Sequence, residues 1–228
     1  MRLNSEVVRN LYASIYCCYP FTKWKMPLPD EVEFIVTPDP EVMGTYLLDT
    51  GLLEDADAVV HYNGTKFDIP TLNKEFLLHS FNPPSPYKQI DLLRVVRSNF
   101  RFPSNKLDYV AQRLNLGKKH EHEGHELWVK CMNGDKDAWK RMEKYNIQDV
   151  VLLESLYNSL RPWIRNHPNH NLFADDHVCP NCGSTRLQKR GTSISSTGTY
   201  QRYQCSSCGT WSQSTKSIKS SVEVKQCN

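Results

Sequence analysis

Four cysteines set the strongest constraint on how this chain can fold. Cys179-Pro-Asn-Cys182 and Cys205-Ser-Ser-Cys208 are two Cys-x-x-Cys pairs separated by 22 residues, and a glycine, Gly183 or Gly209, follows each second cysteine. Four thiolates at this spacing give Zn²⁺ the closed tetrahedral sulfur shell of a structural site. Redox use would need a thioredoxin-like context, and the surrounding sequence offers none. The segment holding the pairs is too small to bury a core of its own, so its folding is expected to depend on the metal. Cys17, Cys18, Cys131 and Cys227 have no framework spacing, which argues for a reducing compartment. No apolar run reaches the length of a membrane span and the start has no charged-then-apolar signal pattern, so the expectation is a cytoplasmic protein without a membrane partner.

Charge is unevenly placed. From His177 to Asn228 there are seven basic residues against Glu223 alone, a balance of +6, whereas the rest has 21 basic and 24 acidic residues, a balance of −3. A basic tail on a mildly acidic body predicts a polyanion partner for the tail; the alternative is a merely soluble tail.

At 228 residues the chain can bury one sizeable core and carry a small appendage. Residues 11–20 are rich in strand formers, and Val32–Val36 reads as a second strand. A helix then runs from Asp39, as N-cap with Pro40 behind it, to about Leu53. Ala58–Tyr62 suits a buried strand and Asn63-Gly64 a turn, before a helix over about Ile69–Ser80. Tyr87–Ile90 reads as an edge strand, Asp91 as a cap for the helix Leu92–Asn99, and Leu107–Leu114 as a further helix. Helices over 125–133 and 137–161 complete the body, and Arg161–Val178 reads as a linker. Strands followed by a βα alternation predict an α/β domain with helices packed on a sheet. His120, His122 and His125 lie in a polar stretch without companion ligands and read as solvated.

Within the 137–161 helix, Met142, Tyr145, Leu153, Leu156 and Leu160 recur at core-facing spacing, and Asp149 falls on the same stripe one turn after Tyr145. A carboxylate there must turn aside to water or be held by a cation. Asp68 poses the same question: it caps a helix, yet it also lies just beyond a buried strand, where α/β folds build their sites.

Taken together, Asn63-x₃-Phe67-Asp68 after a strand and Tyr145-x₃-Asp149 on a late helix resemble motifs II and III of the DEDD 3′→5′ exonucleases, and Tyr four residues before the last Asp resembles their Tyr branch. Over roughly residues 12–165, segments such as Pro86-Tyr-Lys-Gln-Ile-Asp-Leu-Leu, Asn105-Lys-Leu-Asp-Tyr-Val-Ala and Gly124-His-Glu-Leu-Trp resemble the YprB-type ribonuclease H-like nucleases of phage replication modules. The resemblance implies an α/β fold, a ribonuclease H-like sheet flanked by helices, and phosphodiester hydrolysis on DNA at single strands or 3′ ends, in replication or repair. Polymerase or other replication proteins would be partners, and the host cytoplasm the location if the source is viral.

Phosphodiester cleavage needs an activated water, a stabilised leaving oxygen and neutralised charge, which two Mg²⁺ or Mn²⁺ ions about 3.5–4 Å apart supply. By the resemblance, Asp149 would hold the ion that activates water, Tyr145 would orient that water, and Asp68 would serve the second ion. Asn63 and Phe67 would shape the pocket, with Asp91 a further candidate that a helix cap explains equally well. The chain departs from the family at motif I, the Asp-x-Glu of the first strand. Asp39-Pro-Glu41 is a literal Asp-x-Glu, but it sits at a helix start with prolines around it. The expectation is a domain lacking its first strand and, with it, two of four carboxylates. That leaves two readings, an exonuclease and a catalytically impaired accessory protein that retains the fold.

The cysteine segment resembles a zinc ribbon, in which two hairpins share the metal. Arg186, Lys189, Arg190 and Arg202 interleave with Tyr200, Tyr203 and Trp211, a pattern suited to single-stranded nucleic acid. The same aromatics could instead cover the ribbon's own core or dock a protein. The expected organisation is a nuclease domain over 1–163, a linker over 164–178, the ribbon over 179–213 and a frayed tail over 214–228.

Overall fold

The computed structural model describes residues 24–27, 33–36, 56, 58–78, 80–118, 124–133, 135–172 and 174–220. The strand expected over 11–20, the helix expected over 39–53 with Asp39 and Glu41, His120, His122 and the last eight residues lie outside these. The chain divides into two compact units with the boundary between Leu160 and Arg161.

In the first unit, β1 (Trp24–Pro27) pairs antiparallel with β2 (Glu33–Val36), with Trp24 opposite Val36. The sequence reading anticipated β2 and passed over β1. β3 (Ala58–His61) is buried along its whole length and pairs in parallel with β4 (Lys88–Asp91), setting Ala58 against Lys88 and His61 against Asp91. A parallel pair needs a crossover, and α1 (Asp68–Leu78) supplies it. Four consecutive buried residues are what a strand covered on both faces requires, which is why Ala-Val-Val-His shows no alternation.

α2 (Leu92–Asn99) starts directly at the end of β4 with Asp91 as its N-cap, as expected, and buries Leu92, Leu93, Val95 and Val96. α3 (Leu107–Arg113) buries Val110 and Ala111. α4 (His125–Met132) leads into the long α5 (Lys136–Leu160), which packs against α2, α3 and α4. The buried face of α5 runs through Ala138, Met142, Asn146, Val150, Leu153, Leu156 and Leu160. This is the expected stripe with its centre moved by one residue: Asn146 is 3% exposed at the position next to Tyr145. No helix among the described residues is long and apolar enough to cross a membrane.

Two helices end in the same way. At the end of α1 the Phe81 N–H donates to Phe76 O (2.8 Å), the Ser80 N–H to Leu77 O (3.3 Å), and the two phenyl rings meet edge to face. At the end of α3, Leu116 and Asn115 make the matching bonds to Ala111 and Gln112. These are Schellman motifs, and their left-handed residues are Ser80 (φ 60) and Asn115 (φ 56).

The second unit begins with 3₁₀ turns at Arg161–Trp163 and His170–Leu172 and continues to a three-stranded antiparallel sheet, β5 (Leu187–Ile194), β6 (Gly198–Cys205) and β7 (Trp211–Ser220), in that order. The stretch expected as a linker is tied to the first cysteine pair. The Asn171 side chain bonds both the N–H and the O of Val178 (2.9 and 2.6 Å), and the His170 N–H donates to Pro180 O (2.9 Å).

Ser80 is the weak choice among these caps, because a Cβ in the left-handed region costs roughly 1–2 kcal/mol. Ser80→Gly should raise the unfolding free energy by roughly 0.5–1 kcal/mol, and Ser80→Val should lower it. Urea denaturation of the two variants beside the parent chain checks this.

Candidate functional site

Parallel strands place their carboxyl ends side by side, and here those ends carry His61 and Asp91. Past His61 the chain must turn at once into α1. Asn63 takes a left-handed conformation (φ 70), and its N–H donates to Asp91 Oδ1 at 2.9 Å. The same oxygen accepts the N–H of Leu93 at 3.0 Å. One carboxylate oxygen thus caps α2 and fixes the turn after β3.

His61 is 3% exposed. Its Nδ1 accepts the Gly64 N–H at 3.0 Å, and its Nε2 lies 3.3 Å from Gln89 Oε1. With Nδ1 an acceptor, the proton resides on Nε2 and the ring is neutral. Burial holds its pKa below the usual histidine range, against the pull of Asp91, whose Oδ2 lies 3.9 Å from Nδ1. A Cβ at Gly64 would stand 2.7 Å from the His61 ring and 3.0 Å from Asp68 Oδ2, so only glycine lets the ring and this carboxylate approach the turn together. Burial pushes the Asp68 carboxyl above its usual pKa, opposed by His61 and by its own backbone N–H, with the neighbouring Asp91 raising it further. Beside the site, Tyr62 donates to Asn105 O at 2.7 Å, and burial takes its phenol up to about 12.

The structure therefore gathers Asn63, Asp68 and Asp91 around a residue the sequence reading missed, His61, and its partner Gln89. The signal was present as one polar residue inside an apolar strand. The Phe67 ring is 56% exposed, and its carbonyl accepts the Thr71 hydroxyl at the start of α1.

Asp149 and Tyr145 lie one turn apart on α5, both half-buried. The Tyr145 ring packs against Leu127, Cys131, Ala138 and Met142 between α4 and α5, where Trp139 also donates to Cys131 O. Next to Asp149, Gln148 donates to Lys118 O at 2.6 Å. Among the described residues, the only group of three or more His, Cys, Asp or Glu with ligand atoms all within 4.8 Å of one another is Cys179, Cys182, Cys205 and Cys208. Asp68, Asp91 and Asp149 are not gathered that closely.

The cysteine cluster is built twice over by one pattern. The Cys179 N–H donates to Ser184 O and the Gly183 N–H to Cys179 O; the Cys205 N–H donates to Thr210 O and the Gly209 N–H to Cys205 O. Gly183 and Gly209 both take positive φ, 71 and 78, which these tight turns require. Buried Asn181 joins the two halves, donating to Thr210 Oγ1 (2.7 Å) and to Arg161 O (2.6 Å). The sulfurs of Cys179 and Cys208, and those of Cys182 and Cys205, stand 3.7 Å apart. Sulfurs tetrahedral about zinc, each about 2.3 Å from it, are about 3.8 Å from one another. Burial pushes the Cys179 thiol up. It acts the same way on Cys205, but the Cys208 and Ser207 N–H groups and the neighbouring thiols outweigh it and bring that thiol down to about 6.

The basic and aromatic residues of the sheet divide between its faces. Register sets Lys189 opposite Tyr203 and Tyr203 opposite Ser212 on one face, where His177 packs edge-on to the Tyr203 ring (5.1 Å). The neighbouring pairs, Gln204 with Trp211 and Arg202 with Gln213, belong to the other face. There the Arg202 guanidinium lies 5.1 Å over Trp211, and Arg190 donates to Gln188 at 2.8 Å. Arg186 lies apart, before β5, donating to the Ser207 hydroxyl.

Carboxylates collected at the carboxyl end of parallel strands put the first unit among the α/β proteins that build their sites at strand ends. Residues 32–161, more than half of the chain, match the profile of the RNase H superfamily, and the chain belongs to that superfamily. Its fold is RNase H-like, and nuclease-type activity on nucleic acid, usually with divalent metal ions, is what the superfamily carries. A search of curated proteins finds no matching relative.

Asp68 yields a prediction with a definite sign. A carboxyl whose folded pKa is raised binds its proton more tightly in the native state, so stability falls as pH rises from the ordinary carboxyl range through the folded pKa. Asp68→Asn should therefore raise the urea midpoint of the metal-free protein at pH 7, with the gain vanishing below about pH 4. A gain that persists undiminished in acid would contradict burial of the charge as the cause.

Proposed function

We propose that this chain is a metal-dependent nuclease acting on DNA, with 3′→5′ exonucleolytic action on single strands or 3′ ends, in replication or repair. The observation that carries the reading is the approach of Asp68 to Asp91 and neutral His61 at the strand ends of an RNase H-like unit. Two carboxylates, Asp68 and Asp91, act on an imidazole that burial keeps uncharged, so His61 does not neutralise them. An oxygen-rich, anionic site of this kind suits Mg²⁺ or Mn²⁺. Asp68 and Asp149 are the residues assigned to hold the ions, with Asp91 beside Asp68. When bound, such ions lower the pKa of a coordinated water and neutralise charge on the phosphate.

The chain's own residues supply position. Asp91 fixes the turn through Asn63, Gly64 admits His61 and Asp68 together, and Tyr145 is assigned to orient water beside Asp149. The assay is Mg²⁺- or Mn²⁺-dependent shortening of a 5′-labelled single strand from its 3′ end. Asp149→Ala and Asp68→Ala should each lower the rate by roughly two orders of magnitude or more. Degradation that survives both substitutions refutes the assignment.

One observation favours a second reading, an accessory protein that binds nucleic acid without cutting it: the three carboxylates are not drawn together among the described residues, and Tyr145 is engaged in packing. Binding without any metal-dependent degradation is its signature.

We further propose that Cys179, Cys182, Cys205 and Cys208 hold a structural Zn²⁺ in a zinc ribbon. The support is the 3.7 Å sulfur spacing and the repeated turn geometry. The purified chain should contain stoichiometric zinc by elemental analysis. Cys182→Ser should lose it, and chelation should unfold β5–β7 while leaving the far-ultraviolet helix signal largely in place.

A further inference from the structure

We propose that the Arg202–Trp211 face of the β5–β7 sheet binds single-stranded nucleic acid, stacking Trp211 on a base and setting Arg190 and Arg202 on phosphates. The opposite face, with Lys189 and Tyr203, does not take part.

Four observations carry this. Trp211 is 52% exposed on a unit with little core to spare, where an indole serving only packing would be covered. Arg202 lies over that indole, so guanidinium and ring already form a two-layer stack, and less side-chain freedom is lost when a base is added. The sequence from His177 to Ser220 contains no Asp or Glu, so no acid of this segment competes with phosphate for the arginines. On the other face the Tyr203 ring already has a partner, His177, packed edge-on against it.

The combination selects the ligand. Phosphate alone would satisfy the arginines, but the exposed indole gains most from a partner with π-faces, and unpaired bases present them at every nucleotide. Stacked bases of a duplex are withheld from a flat sheet. Gln188 and Gln213, on the same face, add amide donors and acceptors beside the rings.

The test uses the full, zinc-loaded chain and a fluorescein-labelled oligothymidine, read by anisotropy without Mg²⁺ or Mn²⁺. Cutting is thereby silent, and failure here leaves the nuclease reading untouched. Trp211→Ala and Arg202→Ala should each weaken binding about tenfold, within the range for loss of one stacked base. Trp211→Phe should retain most of the affinity, while Trp211→Leu, which keeps apolar bulk, should lose it as Ala does. Arg202→Ala should also flatten the salt dependence by about 0.7 in log–log slope, the loss of one phosphate contact. Lys189→Ala should leave binding close to the parent value, and zinc content should be unchanged throughout. The proposal is overturned if Lys189→Ala weakens binding as much as Arg202→Ala, which would mean diffuse charge attraction. It is equally overturned if Trp211→Leu binds like the parent, or if a duplex or an anionic lipid vesicle binds as tightly as the single strand.

Discussion

Oδ1 of Asp91 accepts two backbone N–H groups from different parts of the chain, and the strand-end site depends on that double acceptance. Leu93 belongs to the first turn of α2, whose N–H groups have no partner within the helix. Asn63 belongs to the turn after β3, and its left-handed backbone aims its N–H at the neighbouring strand. A single carboxylate so fixes the carboxyl end of one strand against the other and starts a helix at the same point. Removing it would leave the buried Leu93 N–H without this partner, at about 1–3 kcal/mol, and free the part-buried Asn63 N–H at a smaller cost. The remaining geometry follows: the turn sets Gly64 against the His61 ring, and α1 then begins with Asp68 at the same place.

The second unit solves a different problem. Its three strands have few buried side chains, and the exposed Ile194 and Ile218 show how little interior the sheet can offer. Cohesion is concentrated in the two cysteine turns and in Asn181, which reaches across to Thr210 and back to Arg161. Both turns follow one hydrogen-bond pattern, and with Cys205 held opposite Leu187 at the end of β6 the four sulfurs face one another. The segment that reads as a linker takes part too, since the Asn171 amide pairs with Val178 just before Cys179.

Much of this was legible. The Asp91 cap, the Asn63-Gly64 turn, the α5 stripe and the paired cysteines rest on local rules that a sequence displays directly. What escaped depended on distant partners. His61 in an apolar run looks like one more strand residue until β4 brings Gln89 and Asp91 beside it. Gly64 reads as a turn glycine, yet what demands it is the imidazole three residues back. The α5 stripe was read one residue off at its middle, because Asn146 looks polar and Tyr145 does not, whereas the helix buries the amide. For the second unit, composition revealed basic and aromatic residues, but only strand register could divide Lys189 and Tyr203 from Arg202 and Trp211.

The two units distribute charge in opposite ways, and this bears on how a polyanion could be handled at all. At the strand ends of the first unit, Asp68 and Asp91 lie near an imidazole that burial keeps neutral, so His61 offers these carboxylates no charge partner. The second unit has the complementary character, basic and without an acid from His177 to Ser220, and it carries exposed rings that carboxylate sites lack. Under the proposed reading, attraction for phosphate falls to the arginines, which stay charged at any pH the protein tolerates. On the proposed function, such a division would leave the carboxylates to a metal and the arginines to the phosphates, so that desolvating the carboxylates costs stability without weakening attraction for a polyanion.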